Sequence, residues 1–159
     1  MTGDTRRRGG APVGYMAELP EIEASAISYL RCWCEGPDWQ DALRDEFKSK
    51  LGHRHGGRGV DALNRLCQLL ALHGRRPLLR HHVQCRCFGG DESAFANCVG
   101  AIVAGDREDA ELFAALIVDH RVSGQFVAEA EAFGVAAQLL ASDPGLPHSS
   151  SSSNVVHLH

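Results

Sequence analysis

No stretch of this 159-residue chain approaches the roughly 18 consecutive apolar residues of a membrane-spanning helix. The richest run, residues 110–118, is about half that long, so no membrane span is expected. Arg6, Arg7 and Arg8 near the start are not followed by the apolar core of a secretory signal, and the chain is therefore expected to be cytoplasmic. In that compartment the six cysteines are expected to be reduced, and their even number implies no disulfide framework. The period-two alternation of half-buried strands is missing throughout. Both glycine fingerprints of nucleotide-binding loops are absent too, and Asp91 and Glu92 put negative charge where a phosphate would sit after Gly89-Gly90. The cysteines also lack the Cys-x2-Cys spacing of zinc ribbons.

Helical periodicity is what remains. Ile22, Ala26, Ile27, Leu30, Trp33 and Cys34 paint one face of a helix that ends at Gly36-Pro37. Trp39, Leu43, Phe47 and Leu51 recur every fourth residue behind Asp38, a suitable N-cap. Four glycines in residues 52–59 then read as a loop, with His53 and His55 solvated in it, because glycine makes helix propagation costly. A third helix carries Leu63, Leu66, Cys67 and Leu70 inward and closes at Gly74. A fourth starts at Asp91, its N-cap, with Phe95, Cys98, Val99 and Ile102 inward, and Gly105-Asp106 breaks it. A fifth, residues 107–120, buries Leu112, Phe113, Leu116 and Ile117, and a sixth runs from Ser123 to about residue 141.

The expectation is therefore an all-α fold: a compact bundle of about six helices with a long central Cys/His loop and disordered termini. Residues 17–141 form its single domain. Residues 1–16 are Gly- and Arg-rich with almost nothing to bury, and residues 142–159 form a Ser-rich tail, so both are expected to be disordered. Met16, just before the first helical pattern, offers an alternative start.

The net charge of −4 hides a polarity. Residues 53–87 hold seven arginines against the single Asp61, whereas residues 88–142 hold nine acidic groups against Arg107 and Arg121. DNA recognition by a helix-turn-helix formed from the last two helices fails on charge, since the second of them carries Glu129 and Glu131 and no basic residue. Arg75, Arg76, Arg80 and Arg86 form a cluster suited to RNA, to an acidic partner or to the domain's own acidic half.

The chemistry concentrates in the loop after Leu72. Zinc prefers thiolate and imidazole ligands, and Cys85 and Cys87 in an extended loop reach one ion together with His82 or His81. Cys98, His73 or Asp91 is the candidate fourth ligand. Such a site would explain a long loop inside a helical domain. The bland reading makes Cys34, Cys67 and Cys98 small buried hydrophobes. A redox-responsive pair is a further reading, because Arg80 and Arg86 favour the thiolates of Cys85 and Cys87.

The run Arg76-Pro77-Leu78-Leu79-Arg80-His81-His82, Cys85-Arg86-Cys87 and Asp91-Glu92, with residues 105–108, resembles a segment of a group of short uncharacterised bacterial all-helical proteins. The likeness covers about residues 60–120 and implies one recurring unit without a transferable activity. The expected function is metal binding by a helical protein that acts through protein contacts. The alternatives are a metal-free helical adaptor with inert thiols, a thiol redox sensor and a small metal enzyme.

Overall fold

Acidic side chains at one end and a basic one at the other suit the first helix, α1 (Glu21–Cys34): Glu21 and Glu23 lie in its first turn and Arg31 in its last. The structure, a computed structural model, describes residues 8–142. Gly36, with φ 131°, turns the chain, and Pro37 opens α2 (Pro37–His73) at a position where its missing N–H costs nothing. The remaining helices are α3 (Gly90–Val103), α4 (Arg107–Ala114) and α5 (Ser123–Ala141). None of these helices is long and apolar enough to cross a membrane.

The molecule is mostly helical, but it has five helices rather than six among the described residues. The expected loop at residues 52–59 is helical except at Gly52, whose φ of 83° kinks α2 into two helical segments. The chain doubles back there, and the glycines serve close approach instead of disorder. A Cβ on Gly56 would lie 2.3 Å from the backbone oxygen of Phe47, and one on Gly59 would lie 2.4 Å from the Cβ of Ala136 on α5. Helix propensity favours Gly59→Ala by up to about 1 kcal/mol. The overlap with Ala136 outweighs this, because neither Cβ has a rotamer to escape into. A net destabilisation of about 1–2 kcal/mol is expected in urea denaturation, largely recovered by adding Ala136→Gly.

The expected fifth helix also stops early, at Ala114. Backbone pairing wins over propagation there: Arg75 donates to the carbonyl of Ile117 at 3.1 Å, Asp119 to that of His73 at 2.9 Å, and Gly74 bridges Val118. Leu112 and Leu116, expected inside, are 68% and 62% exposed, and Ala110 and Ala114 take the buried positions.

One cluster of buried side chains draws on all five helices. At its centre Phe95 meets Phe126 edge-on with ring centroids 6.2 Å apart, and Tyr29 meets Phe47 in the same way at 5.0 Å. The helix pairs α2 with α5 and α3 with α4 make the largest contacts.

The all-α expectation missed a small sheet. β1 (Pro12–Tyr15) runs antiparallel to β2 (Cys87–Gly89), pairing Tyr15 with Cys87 and Gly14 with Phe88. β1 lies within residues 1–16, so the expected disorder fails for residues 8–16; residues 1–7 and the tail from 143 lie outside the described residues. Strands of four and three residues are too short to show alternation, and three of the four β1 residues are exposed. Phe88 fixes the pairing: a Cβ on Gly14 would meet its ring at 2.8 Å, so only glycine lets that ring lie against the strand.

Candidate metal centre

The loop between α2 and β2 has almost no regular structure, and its shape comes from charges buried beneath it. Arg31 is 1% exposed and Glu92 is wholly buried. The Arg31 guanidinium donates through Nε to Glu92 at 2.5 Å and through Nη2 at 3.0 Å. Its remaining donors go to the loop: Nη1 to the carbonyl of Cys85 and Nη2 to that of Cys87, both at 2.8 Å. One side chain of α1 therefore fixes the backbone on either side of Arg86. Glu92 also accepts from the N–H of Gly89 at 3.1 Å, satisfying one orphan donor at the start of α3.

Asp91 anchors the earlier half of the loop in a similar way. It accepts a two-pronged contact from Arg76, at 2.5 and 2.8 Å, and the N–H of Leu79 at 2.9 Å. Arg80 reaches Glu35 at 2.8 Å and the carbonyl of Cys34 at 3.1 Å. Two arginines of the basic cluster, Arg76 and Arg80, are thus paired with the domain's own carboxylates. By sequence Asp91 is an N-cap and a candidate ligand; the structure makes it a buried anchor for Arg76.

On this frame three ligating atoms converge. The sulfurs of Cys85 and Cys87 are 3.0 Å apart, and Nδ1 of His81 is 3.4 Å from each. His81, Cys85 and Cys87 form a group close enough to hold a metal ion. Tetrahedral zinc would set sulfur to sulfur at about 3.8 Å and nitrogen to sulfur at about 3.6 Å. The observed sulfurs are about 0.8 Å closer than this and the nitrogen–sulfur edges about 0.2 Å closer, so the two sulfurs would have to part to seat an ion tetrahedrally.

The tautomer suits this role. Nε2 of His81 lies 2.5 Å from the carbonyl oxygen of Gly10, which can only accept, so that nitrogen carries a proton. In the neutral ring Nδ1 is then the lone-pair atom, and it faces both sulfurs. A histidine ligand held through its other nitrogen is the usual arrangement at metal centres.

The thiols differ in acidity. Cys85 is lowered to about 7, chiefly because the Cys87 thiol donates to its sulfur and then because His81, when its ring is doubly protonated, donates to it through Nδ1. Cys87 is raised, because that same shared hydrogen bond keeps its proton in place. Burial pulls His81 down, but its contacts with the Cys85 sulfur and the Gly10 carbonyl, with the charge of Glu92, leave it raised overall.

The other candidate ligands lie apart. Among the described residues no fourth histidine, cysteine or carboxylate joins the three. Cys98 is fully buried in the hydrophobic core, as its place on the stripe with Phe95 and Ile102 implied for the bland reading. His82 is exposed, with Nδ1 accepting from the N–H of Gln84 at 3.3 Å. His73 is exposed at the end of α2, beside the backbone pairing with residues 117–119.

Arg31, Glu92 and the Gly10 carbonyl do not stand out in the sequence as members of a site. A signal for the first two is present: Arg31 stands four residues after buried Ile27, and Glu92 three before buried Phe95, so each shares a face with core residues. Comparison with known protein families, curated proteins and solved structures finds no match.

Proposed function

We propose that this protein binds a soft divalent metal ion, zinc fitting best, through His81, Cys85 and Cys87. What carries the reading is the hydrogen bond from His81 Nε2 to Gly10, which leaves Nδ1 directed at two sulfurs. Two thiolates and a neutral imidazole would balance the ion's charge. The three donors are half-buried, and a fourth position facing water would take a solvent molecule or an external ligand.

The ion acts as a clasp. His81 grips the Gly10 carbonyl, Cys87 pairs with Tyr15, and the carbonyl of Arg86 accepts from Met16 at 2.7 Å, so the residues around the ion are those that hold β1. Metal occupancy thereby sets how firmly the segment around β1 is held, a structural or sensing role. The protein works through contacts with another protein, for which exposed Leu112 and Leu116 are the apolar candidates.

Protein purified without a histidine tag is expected to contain about one zinc per chain, lost when Cys85→Ser and Cys87→Ser are combined. Elemental analysis and chelator titration measure it. A parent chain that neither retains nor takes up zinc, cobalt or nickel would leave the metal-free adaptor as the better reading.

A further inference from the structure

We propose that Cys85 and Cys87 are also a modification site: a hydroperoxide joins them in a disulfide, and that disulfide and a bound ion exclude each other. The exclusion rests on the metal reading above; the disulfide does not. What carries it is the separation of the sulfurs. At 3.0 Å they stand closer than the roughly 3.8 Å of two zinc-bound thiolates, on the way to the roughly 2.0 Å of a disulfide.

The surrounding backbone keeps the pair together. Arg31, anchored on Glu92, holds the carbonyls of both cysteines at 2.8 Å. Between them the carbonyl of Arg86 accepts from Met16 at 2.7 Å, and Cys87 is paired with Tyr15 in the sheet. The sulfurs are thus brought into contact by the fold before any bond forms between them, and little chain entropy opposes the bond. Both cysteines are half-buried, so a small solute reaches them, whereas Cys32 and Cys98 are buried.

The chemistry follows in two steps. Nδ1 of His81, 3.4 Å from either sulfur, takes the proton of one thiol. The thiolate attacks the terminal oxygen of the hydroperoxide; the O–O bond breaks, an S–O bond forms, and the departing alkoxide or hydroxide takes the proton from Nδ1. The other sulfur then attacks the sulfenic sulfur: an S–S bond forms, the S–O bond breaks, and the second thiol's proton leaves with the hydroxide as water. The two sulfurs together give up the two electrons that reduce the peroxide bond. In the disulfide neither sulfur is a thiolate, so the ion loses two of its three protein ligands. Bound zinc, conversely, occupies both sulfurs and holds them apart.

The test treats the full, metal-free, reduced chain with a small excess of hydrogen peroxide, alkylates the remaining thiols and digests with chymotrypsin without reduction. Residues 80–88 hold these two cysteines and no other. This peptide is expected unalkylated and two hydrogens lighter than its reduced form, and a dithiol should reverse the change. Recovery of residues 80–88 with both sulfurs alkylated, with one carried on to the sulfinic acid, or joined to another peptide overturns the disulfide. Zinc-loaded chain freed of excess metal should release about one zinc for each disulfide formed, measured in an ultrafiltrate. Free zinc at about ten times its dissociation constant should slow the link roughly tenfold, in proportion to the sites left empty. A disulfide formed with zinc still bound overturns the exclusion and leaves the metal reading standing. A chain that takes up no zinc overturns both, whether or not the disulfide forms.

Discussion

Replacing Arg31 with methionine is expected to lower the unfolding free energy of the metal-free chain by about 3–5 kcal/mol. The size follows from what is left behind. Glu92, wholly buried, loses its only ion-pair partner among the described residues, and the carbonyls of Cys85 and Cys87 each lose a donor. An unpaired buried charge dominates this sum, because each orphaned carbonyl costs about 1–3 kcal/mol at most and the loop ones recover some of that from water. The contrast is Arg44 with Asp61, an exposed pair at 3.1 Å whose removal should cost about 1 kcal/mol or less. Adding Glu92→Leu to Arg31→Met should restore much of the loss, since two apolar groups need no partner. Recovery stays incomplete, because the loop carbonyls and the Gly89 N–H remain without their side-chain partners. Urea denaturation of the parent, the two single variants and the double variant measures the coupling. If the single Arg31→Met variant costs under about 1 kcal/mol, the buried pair does not organise the loop. The same variant should bind metal about 10–100-fold more weakly, the usual effect of losing a group that positions ligands.

This coupling of core and loop also marks how far the sequence could be read. Apolar periodicity located α1, α3 and α5 well, because each presents one continuous stripe to the core. It failed where backbone geometry overrode the pattern. Four glycines in residues 52–59 look like a loop to any propensity argument, yet Gly56 and Gly59 are there to let α2 fold onto its own first half and onto α5. Leu112 and Leu116 fit a helical stripe that the early end of α4 never completes. Loop composition pointed to Cys85, Cys87 and a histidine. The choice between His81 and His82 was beyond spacing, since it depends on a carbonyl 71 positions away in sequence. Cys34 and Cys67 read as core cysteines because each sits on an apolar face, and both pack against the buried cluster.

The site is also more economical in charge than its composition suggests. Arg31 and Glu92 neutralise each other beneath the loop, and Arg76 and Asp91 do so beside it. The candidate ligands His81, Cys85 and Cys87 are therefore held by a frame that adds no net charge. An entering dication would meet the thiols and the imidazole with their protons as the chief competitors.

Lowering the pH from about 7.5 to about 5.5 is expected to weaken zinc binding by roughly four to five powers of ten. The sign is fixed by competition: the ion takes only thiolates and unprotonated Nδ1, so every proton bound by the free site opposes it. At the upper end Cys87, raised by its shared hydrogen bond, carries a proton that zinc must displace, which gives one power of ten per pH unit. Below about 7 the Cys85 thiol contributes a second. His81, raised above its ordinary value, adds a third before the lower end is reached. The slope of log affinity against pH should therefore steepen from between one and two to about three. Competition with a chromophoric chelator of known proton affinity measures it at constant ionic strength. A slope that never exceeds about one would mean that imidazole or carboxylate alone holds the ion, and the two sulfurs would lose their place in the site. Cys87→Ser should remove one unit of slope at the alkaline end, whereas His81→Gln should remove one only at the acid end. That difference assigns each displaced proton to its atom, something stoichiometry alone does not do.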